Sequence, residues 1–203
     1  MKTNLMTTHQ VLNPTVAGGE IHCTRAAGFT MVELLTTIAI ASILLTLAVP
    51  SFQYVTNSNR IASELNGLVG DLQFARAEAI KEGRTVTVCV SADGQNCLTN
   101  ATTWQSGWIV FSDPTNVGVH DPAETIFRVQ KPFSSTDTYV ASNNVSAITF
   151  NRDGYAVGIP NGTLITLHDS TATSAWTRCL SINLSGELTT ELFGTTTNGA
   201  LCT

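Results

Sequence analysis

The sequence predicts an α+β fold: one long amino-terminal helix whose outer half packs on an antiparallel β-sheet head. Three observations carry this. Residues 29–49 form an almost uncharged apolar run, long enough for a helix of about 31 Å at 1.5 Å per residue. Residues 53–82 continue it with helical apolar periodicity. Beyond Gly83 the pattern changes to short strands parted by turn dipeptides. With 203 residues and no internal repeat, the chain has room for one cored domain and an anchor, and nothing marks a second domain.

The apolar run, FTMVELLTTIAIASILLTLAV, holds a single formal charge, Glu33. A cleaved secretory signal fits poorly, because the run is too long and ends at Val49-Pro50-Ser51-Phe52 without a small-x-small site. A lipoprotein signal has the wrong order, since Cys23 precedes the run. A plain anchor explains the length but leaves a costly carboxylate in lipid.

In the next segment Ile61, Leu65, Leu68, Leu72, Ala75 and Ala79 recur at alternating spacings of four and three, one apolar face of a helix. Arg60, Glu64, Asp71, Arg76, Lys81 and Glu82 take the other face, and Gly83 is a stop signal. Pro50 should bend the helix, and Gly67 and Gly70 should weaken it. The apolar stripe suits close packing on a sheet, with a coiled-coil seam to another chain as the alternative.

Expected strands are Thr85–Ser91, Gly107–Ser112, Thr125–Gln130, Ala147–Asn151, Leu164–His168, Thr177–Leu184 and Leu188–Phe193. Asp93-Gly94, Asp113-Pro114, Asp153-Gly154, Asn161-Gly162 and Ser185-Gly186 are the turns between them.

"GFTMVE" resembles the cleavage and assembly motif of type IV prepilins and type II secretion pseudopilins. The resemblance implies that a prepilin peptidase cuts after Gly28 and methylates the amino group of Phe29. Residues 1–28 would be the leader, longer than the short basic leader usual in the family, with Met6 an alternative start. Glu33 becomes the fifth mature residue, the assembly carboxylate, and Pro50 the twenty-second, where pilins place a helix-bending proline. Residues 29–49 would be the transmembrane half of the helix and 50–203 the periplasmic half and head, a pilin fold. The stretches "LVGDLQFARAEAIKEGRTVTVCVS", "WQSGWIVFSDP" and "ITFNRDGY" are similar to landmarks of the GspH/FimT group of minor pilins and pseudopilins, and "VPSF" resembles its pilus branch, which includes FimT and FimU. The implied role is structural: a subunit that primes or joins a type IV pilus or type II secretion pseudopilus. It would sit as a single-pass protein in a bacterial inner membrane, with its head in the periplasm. The implied partners are other minor and major pilins or pseudopilins, the prepilin peptidase and the inner-membrane assembly platform.

Five cysteines are awkward in an oxidising compartment. Loss of Cys23 with the leader leaves four, which allow three pairings. We favour the most local, Cys89–Cys97 and Cys179–Cys202. Their spacings do not match zinc ligand pairs, and no histidine is near, so neither a metal nor a cofactor is expected.

An anchored periplasmic enzyme is a rival class, but His120 and His168 sit in no nucleophile or zinc motif. Asp93, Asp113, Asp121 and Asp153 read as turn residues, with no calcium-loop signature. Trp108 and Phe111 in an apolar strand suit core packing, as the bland reading of Trp104, Trp108 and Trp176 against a binding surface. The other rival is a DNA-receptor pilin. FimT-like pilins that bind DNA carry a basic Gly-Arg-x-Lys motif, and the matching stretch here is Gly186-Glu187-Leu188-Thr189. From Pro50 onward eight basic residues face thirteen acidic ones, net −5, so phosphate binding is not expected.

Overall fold

The computed structural model describes residues 28–115, 118–133, 135–197 and 200–203. Residues 1–27 of the expected leader, with Cys23, and the side chain of Pro50 lie outside the described residues. The chain divides into two compact units between Leu45 and Thr46.

Helix α1 spans Met31–Glu82. Its amino-terminal portion, to Leu45, is exposed along its whole length and makes no core. The best eighteen-residue window of α1 has a mean hydropathy of 2.2, long and apolar enough to cross a membrane. Gly83, at φ 67°, closes the helix, its N–H bonded to the Ala79 carbonyl. Gly67 and Gly70 do not interrupt it, and a Cβ at either would meet nothing within 4 Å.

The head contains two antiparallel sheets. The first is ordered β3-β2-β1-β5-β6, from β1 (Val86–Val90), β2 (Trp108–Ser112), β3 (Ile126–Gln130), β5 (Ala147–Phe150) and β6 (Ala156–Val157). The second is ordered β4-β7-β8-β9, from β4 (Thr138–Ala141), β7 (Thr163–His168), β8 (Arg178–Ile182) and β9 (Leu188–Leu192). A small hairpin, β10 (Thr196–Thr197) with β11 (Ala200–Leu201), ends the chain.

All six residues of the helical stripe are buried, none more than 3% exposed, and share one core with Val86, Val88, Val110, Ile148, Phe150, Ile165, Leu167 and Leu180. The stripe is therefore filled from within the chain, which removes the coiled-coil alternative. Every residue of β1 and of β2 is buried, as a strand covered on both sides requires. Trp104, Trp108, Phe133 and Tyr139 complete the core; the last two stack at 5.0 Å with rings 7° apart.

The seven expected strands correspond to β1, β2, β3, β5, β7, β8 and β9. The expectation omits β4, β6, β10 and β11, which have four residues or fewer. Their strand state comes from pairing partners such as β7 for β4, not from local pattern.

Candidate functional site

The amino-terminal end of α1 is built by local hydrogen bonds. Thr30 caps it: the Glu33 N–H donates to Thr30 Oγ1 at 3.2 Å and the Leu34 N–H to the Thr30 carbonyl at 3.1 Å. Thr30-x-x-Glu33 thus has the spacing of a capping box, which places the carboxylate in the first turn at the positive end of the helix dipole. The hydroxyls of Thr36, Thr37 and Ser42 donate to carbonyls three residues back, at 2.8–2.9 Å. That leaves an apolar outer surface with its hydroxyl donors satisfied inside the helix. Phe29, Met31 and Val32 beside Glu33 are 70–79% exposed.

On the head, one flank of the helical stripe is a row of charged residues that tie α1 to the sheets. Arg60 makes a bidentate pair with Asp137, Nε to Oδ2 at 2.7 Å and Nη2 to Oδ1 at 2.8 Å, and the Asp137 side chain is fully buried. The Tyr139 hydroxyl donates to Glu64 Oε2 at 2.6 Å. Burial first, and then this carboxylate, push the Tyr139 phenol far above its ordinary range, so it stays a donor. Asp71 accepts the Trp108 indole N–H at 2.9 Å and an Arg128 N–H at 2.8 Å, and the Arg128 guanidinium lies 3.8 Å from the Phe74 ring centre. Arg76 donates to the Gly186 carbonyl at 3.0 Å and the Ser185 carbonyl at 3.2 Å. The expectation put Arg60, Glu64, Asp71 and Arg76 on the face opposite the apolar stripe; the structure docks them to the head. Arg60, Glu64 and Asp71 stand four and seven residues apart, and that line beside the stripe was the legible sign.

Gly186 sits at φ 76°, and a Cβ there would come within 2.1 Å of the Gly154 carbonyl oxygen. The stretch Gly186-Glu187-Leu188-Thr189 is thus the tight β8–β9 turn and the start of β9, held against α1 through Arg76.

Cys89 is bridged to Cys97 with Cα atoms 5.5 Å apart, and Cys179 to Cys202 at 5.8 Å. The first closes the 91–96 excursion, where Asp93 Oδ1 accepts the N–H groups of Gln95 and Asn96 at 2.8 Å. Donors from Asn96, side chain and backbone, hold the Asp93 carboxyl below the usual range. The second ties the end of the chain to β8 beside Leu164.

The remaining candidates have structural partners. His120 meets Phe111 edge-on at 5.0 Å. The His168 ring lies 2.9–3.0 Å from Thr138 Oγ1. Asp113 is buried and accepts from Thr87 Oγ1 and the Gly118 N–H. The Asp121 N–H donates to Glu124 Oε2, and Asn151 Oδ1 accepts the Asp153 N–H. Trp104 and Trp108 lie in the core, whereas Trp176 is half-buried against Tyr54, ring centres 6.0 Å apart. Among the described residues no three His, Cys, Asp or Glu side chains gather as a metal site.

The family described as Type II transport protein GspH matches residues 64–186, and the prokaryotic N-terminal methylation motif matches residues 23–49. The type IV minor pilin FimU of Pseudomonas aeruginosa (strain PAO1) is similar in two crystal forms. One is 23% identical, covers 69% of this chain and 92% of its own, and has a TM-score of 0.51, a likeness of fold. The other, at 22% identity and a TM-score of 0.49, covers 66% and 91%. A curated relative, small ribosomal subunit protein uS3 of Phytoplasma mali (strain AT), is 30% identical over 103 residues, covering 48% of this chain and 40% of that protein. The chain thus spans about two fifths of that relative's length.

Proposed function

Because the chain belongs to the GspH family, whose members are structural minor pseudopilins and minor pilins rather than enzymes, we propose that its amino-terminal segment is the assembly site of a filament subunit. A prepilin peptidase removes residues 1–28 and methylates the new amino terminus at Phe29. Residues 29–49 hold the chain in the inner membrane, bent after Val49 by Pro50, with the head in the periplasm until the assembly platform passes it to the filament. Glu33 then neutralises the Phe29 amine of a neighbouring subunit, and the apolar residues after it pack in the filament core among other pilins or pseudopilins.

The observation that carries this reading is a capped helix start with one carboxylate in its first turn and large apolar side chains exposed around it. A lone carboxylate in that setting has no partner within the segment that offsets its desolvation. A neighbour's amine supplies one.

Processing is the first step to test. In cells with a prepilin peptidase, the Gly28→Val chain should run on a denaturing gel as the longer precursor, beside a shorter wild-type band. Equal mobility of the two would refute processing at this site.

A further inference from the structure

We infer that an aromatic patch at the near end of the head rests on the lipid headgroup layer before assembly. Tyr54, Trp176 and Phe193 form this patch with Leu192 and Arg178. The inference rests on the anchor reading above. Tyr54 lies five residues beyond Val49 on α1, about 7.5 Å along the axis. A headgroup layer is about 5–7 Å deep on each side of the hydrocarbon core. Helical side chains lean toward the helix amino terminus, so the Tyr54 ring is set back toward the membrane.

The head brings its own residues to the same level. The Trp176 ring lies 6.0 Å from the Tyr54 ring, and one hollow is lined by Tyr54, Ser174, Ala175, Arg178, Leu192 and Phe193. Tyr54, Leu192 and Phe193 are 50%, 57% and 48% exposed. Arg178 is fixed there by bonds to the Ala175 and Thr177 carbonyls, at 3.1 and 2.9 Å.

Lipid is favoured as the occupant over a protein surface by continuity and by chemistry. The patch follows the apolar run on the same helix, with exposed Phe52 and Val55 on either side of Tyr54. Its residue types are those of the membrane interface: amphipathic aromatic rings, which prefer the headgroup level, and an arginine at phosphate height. Because one part of the patch is on α1 and the other on the 174–178 and 192–193 segments, lipid contact also fixes the head's orientation at the membrane.

The test uses the full chain reconstituted in phosphatidylethanolamine and phosphatidylglycerol vesicles whose acyl chains are brominated near the headgroup. Trp104 and Trp108 are 0% and 1% exposed, so bromine should quench Trp176 alone. The expected result is quenching in the wild type that disappears in Trp176→Phe and falls about two-fold in Phe193→Ser. Vesicle flotation is read in the same samples. A chain that floats without Trp176 quenching overturns this inference and leaves the anchor standing. A chain that does not float overturns both. Quenching in the wild type that persists in Trp176→Phe, or a Trp176 signal that responds only to protein density, also overturns it; the latter gives the patch to a neighbouring subunit.

Discussion

Asp137 is a buried carboxylate and Glu33 an exposed one that the assembly reading takes into the membrane, and they are handled in opposite ways. Asp137 has a partner in its own chain, the bidentate Arg60 guanidinium, which is itself 39% exposed. Removing that partner should leave a buried charge uncompensated. Arg60→Ala should cost about 3–5 kcal/mol, and the double change Arg60→Met with Asp137→Leu should regain most of it. Urea denaturation of the full chain in detergent measures both, and equal stability of wild type and Arg60→Ala would contradict the assigned role. Among the described residues Glu33 gets only its place in the first turn, worth about 0.3–1 kcal/mol through the helix dipole. Against that stands about 2.5 kcal/mol or more for a carboxylate in lipid. The shortfall is what a neighbour's Phe29 amine would supply. Glu33→Ala should therefore be inserted and cleaved at wild-type levels yet be absent from sheared filaments on immunoblots. Its normal incorporation would break the account.

At the scale of elements, the helix and its partners were legible because their burial is periodic. Ile61 through Ala79 fall on one face whatever they pack against, and β1 and β2, VTVCV and WIVFS, announce themselves as short runs rich in β-branched and aromatic residues. β4 was not legible. Thr138–Ala141 has no strong alternation and is flanked by Ser, Asn and Asp; pairing with β7 makes it a strand. The charged flank of α1 was visible as spacing, but the head partners of Arg60, Glu64 and Asp71 lie 37 to 77 residues away in sequence, beyond local pattern. The carboxyl-terminal hairpin shows the same dependence on distant contacts. Its backbone closes on itself through Gly194 N–H to the Cys202 carbonyl and Cys202 N–H to the Thr195 carbonyl, and the Cys179–Cys202 bridge, 23 residues apart, ties it to β8. Replacing both cysteines by serine should cost about 3.5 kcal/mol by the loop-entropy relation, against about 2.5 for the Cys89–Cys97 pair. Amide exchange should rise first at Gly194 and at the residue in position 202; unchanged protection there would mean the bridge does not hold the hairpin.

For the whole molecule the decisive quantity is where charge is free to act. The head is net −5 from Pro50 onward, and several of its cations already have internal partners. Arg60 is paired with Asp137, Arg128 with Asp71, and Arg76 binds the carbonyls of the β8–β9 turn. That turn itself carries a carboxylate, Glu187 in Gly186-Glu187-Leu188-Thr189, and adds no cation. Duplex DNA binding draws its affinity from cations that displace condensed counterions, so a net-negative head with Arg60, Arg76 and Arg128 already engaged loses much of that favourable contribution and repels the phosphates besides. The full chain in detergent should therefore give no gel shift with duplex DNA at physiological salt. Lowering the salt should not rescue it, because weaker screening strengthens the repulsion of an acidic surface as much as any local attraction. A shift at low salt with micromolar affinity would reverse this conclusion and locate a basic surface that the paired arginines do not provide.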